Sequence, residues 1–114
     1  MSKRDDLIAK YADSCKDMGI AVDMDFLTKV TVGLGPSIYN KDASTVSCSD
    51  DSELQRVIDN FLVKKLGCKE SQDNMMAAVK DVCSQMGSSN RNKYRAIFYY
   101  LLAKKYGKES VYNK

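Results

Sequence analysis

The chain has 114 residues, 44% of them hydrophobic and 29% charged, with a net charge of +3, four cysteines and no histidine. A chain of this size buries roughly 65% of its unfolded surface and needs no staple to hold a core, so residues 1–114 are expected to form a single domain. The missing histidine removes Ser-His-Asp triads, Cys-His pairs and H-E-x-x-H zinc sites together, and no apolar run approaches the roughly 18 residues of a membrane span.

The opening MSKRDDLIAKYADS sets two acids directly behind a basic pair and lacks an apolar leader stretch, which points to a cytoplasmic protein. A first helix is expected from about Asp5 to Met18, with Leu7, Ile8, Tyr11, Cys15 and Met18 on one face and Gly19 as the residue past its end. Asp23 is a good N-cap for a second helix carrying Phe26, Leu27, Val30 and Leu34. The β-branched run through Thr31 and Val32 also suits a strand, but the apolar spacing favours helix. Gly33, Gly35 and Pro36 end it, and residues 37–49 form the longest irregular stretch, with a short helical turn expected near Ser37–Asn40.

Asp50 followed by Glu53 reads as a capping box opening a third helix, whose apolar face is Leu54, Val57, Ile58, Phe61 and Leu62 and whose stop is Gly67. A fourth helix begins after Ser71 and carries Met75, Met76, Val79, Val82, Cys83 and Met86. The segment Ser88–Gly107 reads as a fifth, capped helix, with Tyr94, Ile97, Phe98, Leu101 and Leu102 at i, i+3, i+4, i+7 and i+8. Arg91, Arg95, Tyr99 and Tyr106 widen its apolar arc, while Ala96 and Ala103 leave room for a neighbouring backbone. So little polar face marks a helix covered by several neighbours. The expected fold is therefore all-α, a compact multihelical domain of about five helices with the C-terminal helix central. Residues 51–67 and 91–107 also match under a shift of forty, including Lys-Lys-x-Gly at both ends. Shared rules for ending a helix explain that as readily as a duplication.

The cysteines, Cys15, Cys48, Cys68 and Cys83, are spread without a C-x-x-C, so neither a zinc site nor any other metal or cofactor is expected. Cys15 and Cys83 fall in apolar registers and read as core. Cys48 and Cys68 fall in loops, and four free thiols are the expectation in a reducing cytosol.

Charge is uneven along the chain. Residues 1–60 hold seven basic and eleven acidic side chains (net −4), residues 61–87 four and three (net +1), and residues 88–114 seven and one (net +6). An acidic half packed against a basic half explains this, within or between chains; so does an acidic partner such as nucleic acid. The candidate contacts for an anion or nucleic acid are Arg91, Lys93, Arg95, Lys104, Lys105 and Lys108. Arg91, Lys93 and Arg95 near a helix start oppose its dipole, which calls for a compensating carboxylate or a bound anion. The carboxylate pair is the preferred reading of Arg95. Tyr99 and Tyr100 beside these cations could stack bases, although tyrosines on a helix flank more often edge a core. The Gly33-Leu34-Gly35-Pro36-Ser37 turn lacks the third glycine and the lysine of phosphate loops, and Pro36 lacks an N–H, so it reads as a helix stop. Acidic pairs such as Asp5/Asp6 and Asp50/Asp51 sit at helix starts, where the dipole accounts for them.

Several of these segments resemble a family of small bacterial proteins catalogued as domain of unknown function 2853. They are DDLIAKYADS, DMDFLTKVTVGLGPSIYNKDASTV, NFLVKKLG and SNRNKYRAIFYYLLAKKYGKE, with residues 27–43 and 90–102 the most specific. The resemblance spans nearly the whole chain and implies a compact multihelical fold. It brings no activity, cofactor or catalytic residue.

The leading expectation is a cytoplasmic, non-enzymatic protein-interaction or structural module whose partner is another protein or a second copy of the chain. The second is a nucleic-acid-associated protein using the basic C-terminal region. The weakest is a binder of a small anionic ligand through Tyr39, Arg91 and Arg95.

Overall fold

Short polar side chains, Asp23, Asp50 and Ser71, set three of the helix starts, and glycines with positive φ follow the helix ends. The structure, a computed structural model, describes residues 3–40, 44–87 and 93–107. Helix α1 spans Lys3–Asp17, with Asp5 and Asp6 in its first turn. It ends at Gly19, whose φ of 73° lets Ile20 N–H reach Cys15 O (2.8 Å) and Gly19 N–H reach Lys16 O (3.0 Å). This pair of bonds satisfies two carbonyls that a helix end otherwise leaves open. Helix α2 spans Met24–Leu34, and the Asp23 carboxylate accepts from Phe26 N–H at 3.2 Å. Helical spacing prevails over the β-branched run: Phe26, Leu27, Val30 and Thr31 are buried, and Thr31 returns its hydroxyl proton to Leu27 O. Gly35, at φ 64°, closes α2 and opens a 3₁₀ turn over Gly35–Tyr39.

Helix α3 spans Asp51–Val57, and Asp50 Oδ1 accepts from Ser52 and Glu53 N–H at 2.9 and 3.4 Å. Only this half of the expected capping box forms. Asp50 N–H bonds to Ser47 O instead, and Glu53 reaches across to another helix. From Ile58 to Val63 the helix widens into π turns, where sequence periodicity gives no sign of a change. An unbroken α-helix at 100° per residue would carry Leu66 about 120° away from Leu54. The wider π turns lag behind that rotation, and Leu66 comes to lie in the core beside Leu54, Ile58 and Leu62.

Helix α4 spans Gln72–Met86, capped by Ser71 Oγ accepting from Asn74 N–H. It faces α3 through reciprocal amide bonds between Gln55 and Gln72. Helix α5 spans Arg95–Lys105, and it starts later than its periodicity suggests. Residues 88–92 lie outside the described part. Lys93 and Tyr94 are extended and pair with residues 44–46: Thr45 and Tyr94 form an antiparallel bridge, Val46 N–H donates to Lys93 O (2.8 Å) and Arg95 N–H to Ser44 O (2.7 Å).

The fold is all-α, and α5 is its centre, packed against α2, α4 and α1. Seven of its eleven residues are buried. Ile97, Phe98 and Leu102 are sealed completely, each contributing roughly 1.5–3 kcal/mol of burial. Ala96 and Ala103 are buried as well. One contiguous cluster runs from Tyr11 and Cys15 through Leu27, Val30, Leu54, Leu62 and Val79 to Leu102.

The cysteines depart from the sequence expectation. Cys15 is core, with its thiol pushed up to about 11 by burial. Cys68 is also buried, because the bond from Cys68 N–H to Leu62 O folds the chain back at the end of the π turns. Cys48 and Cys83 are joined as a disulfide, with Cα atoms 6.0 Å apart. Four free thiols is therefore corrected to two. The 35-residue separation concealed a contact created only by packing residues 44–50 beside the last turn of α4.

Candidate functional site

The basic residues of α5 divide between its two ends. At the N-terminal end, Arg95 occupies the first helical position, where its charge opposes the helix dipole. The guanidinium is surrounded by protein groups. Nη2 lies 2.8 Å from Glu53 Oε1 and 3.5 Å from Thr45 O, and Nη1 donates to the Tyr99 hydroxyl at 3.1 Å. The two charged side chains keep only 19% and 21% of their exposure. The Tyr99 ring stacks on Phe61, with centroids 4.0 Å apart and planes inclined by 13°. Glu53, Arg95, Tyr99 and Phe61 thus form a column joining α3, the π turns and α5. Sequence reasoning foresaw a carboxylate for Arg95 but placed Glu53 in a cap. The identity of the partner depends on how α3 crosses α5, which no local pattern encodes.

At the C-terminal end, Lys104 and Lys105 complement the dipole. Lys104 Nζ sits 3.6 Å from Asp23 Oδ2 and 5.6 Å from the centroids of Phe26 and Tyr100. Lys105 Nζ bonds to Asp81 Oδ2 at 3.0 Å. Both pairs are well exposed. Of the remaining candidates, Lys93 accepts Val46 N–H on its backbone carbonyl beside the Thr45–Tyr94 bridge, and Arg91 and Lys108 lie outside the described residues. The structure therefore separates the candidate cations: Arg95 lies at one end of the helix, Lys104 and Lys105 at the other.

Among the described residues, Tyr11, Tyr94 and Tyr100 are buried and Tyr99 and Tyr106 are half-buried. Tyr100 is 2% exposed, and its hydroxyl accepts from Asp23 N–H (2.8 Å) and donates to Ala21 O (3.2 Å), which ties the start of α2 to α5. Tyr11 packs on Tyr94 with centroids 5.0 Å apart. Its phenol is pushed up to about 12, first by burial and then by Tyr94 and Tyr39. Tyr106 is likewise pushed up to about 12 by burial, then by Cys68 and Glu70, and its hydroxyl bonds to Glu70. Of the described tyrosines, Tyr39 alone is exposed, at 53%.

Two open grooves flank this core. One, of about 350 Å³, lies between α1 and the 3₁₀ turn and is lined by Lys3, Asp6, Leu7, Lys10, Ile38 and Tyr39. The other, of about 390 Å³, runs along residues 20–23 and is bordered by Gln85, Tyr100, Leu101 and Lys104. Tyr39 and Arg95 do not meet in either. Among the described residues, no group of three or more acidic or thiol side chains is placed to hold a metal ion. No helix among them is long and apolar enough to cross a membrane, and none of their buried side-chain polar atoms lacks a hydrogen-bond partner.

The chain belongs to the family described as protein of unknown function (DUF2853), whose model matches residues 10–110. No match was found among curated proteins.

Proposed function

We propose that this protein is a non-enzymatic interaction or structural module of the cytoplasm. The observation that carries the reading is the engagement of three of the candidate cations. Arg95, Lys104 and Lys105 each have a carboxylate from another element within 4 Å, namely Glu53, Asp23 and Asp81. An anion taken up at Arg95 would have to displace Glu53 and leave a largely buried carboxylate unpaired, a cost of several kcal/mol. The acidic and basic halves meet inside one chain, so a partner has less reason to use them. Among the described residues the surface also offers apolar groups: Met24 and Val32, about two turns apart on α2, together with Tyr39 and Val63.

The test is a fluorescence-anisotropy titration of single- and double-stranded oligonucleotides over a salt series. Flat traces at low salt are expected. Binding whose log K falls with log salt at about −0.7 to −0.9 per contact, summed over several contacts, would replace this reading with a nucleic-acid one.

A further inference from the structure

The Cys48–Cys83 bond links two places that the fold already holds separately. Residues 44–46 are fixed on α5 by the Thr45–Tyr94 bridge, by Val46 N–H on Lys93 O and by burial of Val46. Helix α4 is fixed by Met75, Val79, Val82 and Met86, all in the core. Between these anchors the disulfide adds one constraint, and it acts on the turn over residues 47–50 that leads into the Asp50 cap of α3. A domain of this size with so complete a core does not depend on a staple to fold.

The four cysteines also fall into two chemical classes. Cys15 and Cys68 are buried, and the Cys15 thiol, held up near 11, is nearly all protonated at neutral pH. Cys48 and Cys83 lie at the margin of the core and are only partly buried, which leaves their bond within reach of a thiolate from solvent. Exchange at a disulfide requires that reach.

We propose that Cys48 and Cys83 form a reversible redox clasp, opened by a dithiol reductant and closed by a disulfide oxidant, that fixes the turn before α3 to the last turn of α4. In opening, a thiolate of the reductant attacks one sulfur of the pair. The other sulfur leaves as a thiolate and takes a proton. The second thiol of the reductant then resolves the mixed disulfide. Two electrons and two protons pass to the protein, which ends with two thiols, and the reductant ends as its disulfide. Closing by oxidised glutathione is the reverse exchange. Reducing conditions open the clasp and oxidising conditions set it.

Hydrogen exchange read by mass spectrometry on the full chain tests this, before and after dithiothreitol, with cysteine alkylation in parallel. Reduction should release two alkylatable thiols, Cys48 and Cys83, while Cys15 and Cys68 stay unlabelled in the folded protein. Amides of residues 47–52 should exchange about fivefold or more faster, and those of α5 should change by less than about twofold. C48S and C83S should exchange at the fast rate with or without reductant. The proposal is overturned if the air-oxidised protein already carries four thiols or the bond resists dithiothreitol until the protein unfolds. It is equally overturned if reduction speeds exchange throughout the chain or changes nothing at residues 47–52.

Discussion

The two ends of α5 present the same chemical motif, a cation held by a carboxylate from a distant element, in different physical settings. At the N-terminal end the pair is four-fifths buried, the cation opposes the helix dipole, and the guanidinium is bound additionally by Tyr99 and Thr45. At the C-terminal end the lysines follow the dipole and their carboxylates stand in solvent, Asp81 with 70% of its side chain exposed. Burial and dipole both make the first pair interdependent: each charge there is tolerable only because the other is present. The second end would keep solvated, well-placed lysines without its acids. Net charge along the sequence treats the two ends as one basic cluster, yet only one of them is structurally committed.

The largest expected effect therefore comes from Glu53→Ala. Removing the carboxylate leaves Arg95 partly buried and opposed to the dipole, and should lower unfolding stability by about 3 kcal/mol, at the lower end of the range for breaking a buried pair. Urea denaturation measures it. A loss below about 1 kcal/mol would mean that the two ends are equivalent and would remove the comparison. The double variant Glu53→Ala/Arg95→Met should recover part of the loss, because no lone charge then remains.

How much of this could be read from sequence follows from which interactions are local. The N-caps Asp23, Asp50 and Ser71 and the stops Gly19 and Gly35 act within a few residues, and each could be identified from residue type and spacing. The apolar face of α5 was legible for the same reason. The π turns were not, because Leu54–Leu62 fits an α period and only the burial of Leu66 requires the wider turn. The delayed start of α5 was hidden by the pairing of Lys93–Arg95 with residues 44–46, across nearly fifty residues of chain. The Cys48–Cys83 bond and the choice of Glu53, Asp23 and Asp81 as partners are likewise products of helix placement. Composition could show that acids and bases were available to pair; it could not say which would.

A second, slightly smaller effect separates the ends by pH. Tyr11 packs on Tyr94, the residue that precedes α5, and burial raises its phenol from 10.0 to about 12. The folded state holds this proton more tightly than the unfolded chain. Its contribution is therefore complete below pH 10 and is lost as pH rises from about 10 toward 12. A shift of this size corresponds to roughly 2–3 kcal/mol. Stability measured by urea at successive pH values should fall over that window, and Tyr11→Phe should flatten the part of the fall owed to the N-terminal end. Tyr106→Phe should remove a separate part, since Tyr106 lies just past the C-terminal end and is raised in the same direction. If Tyr11→Phe leaves the alkaline limb unchanged, the packing around Tyr94 is looser than the close ring contact implies.

The smallest effect is expected where the charge pattern is most conspicuous. Lys105→Ala removes a 3.0 Å ion pair with Asp81, but both groups stay hydrated in either state and the pair restricts two long side chains. The loss should be under about 1 kcal/mol and should shrink further as salt is raised toward 1 M, where the screening length falls to about 3 Å. Repeating the Glu53→Ala measurement over the same salt range supplies the contrast, because a pair at one-fifth of its exposure is screened much less. If the two losses fall together with salt, Arg95 and Glu53 are more solvated than their exposure suggests. If only the Lys105 loss falls, α5 is anchored electrostatically at one end, and its exposed lysines serve solubility and the helix dipole while adding little to the fold.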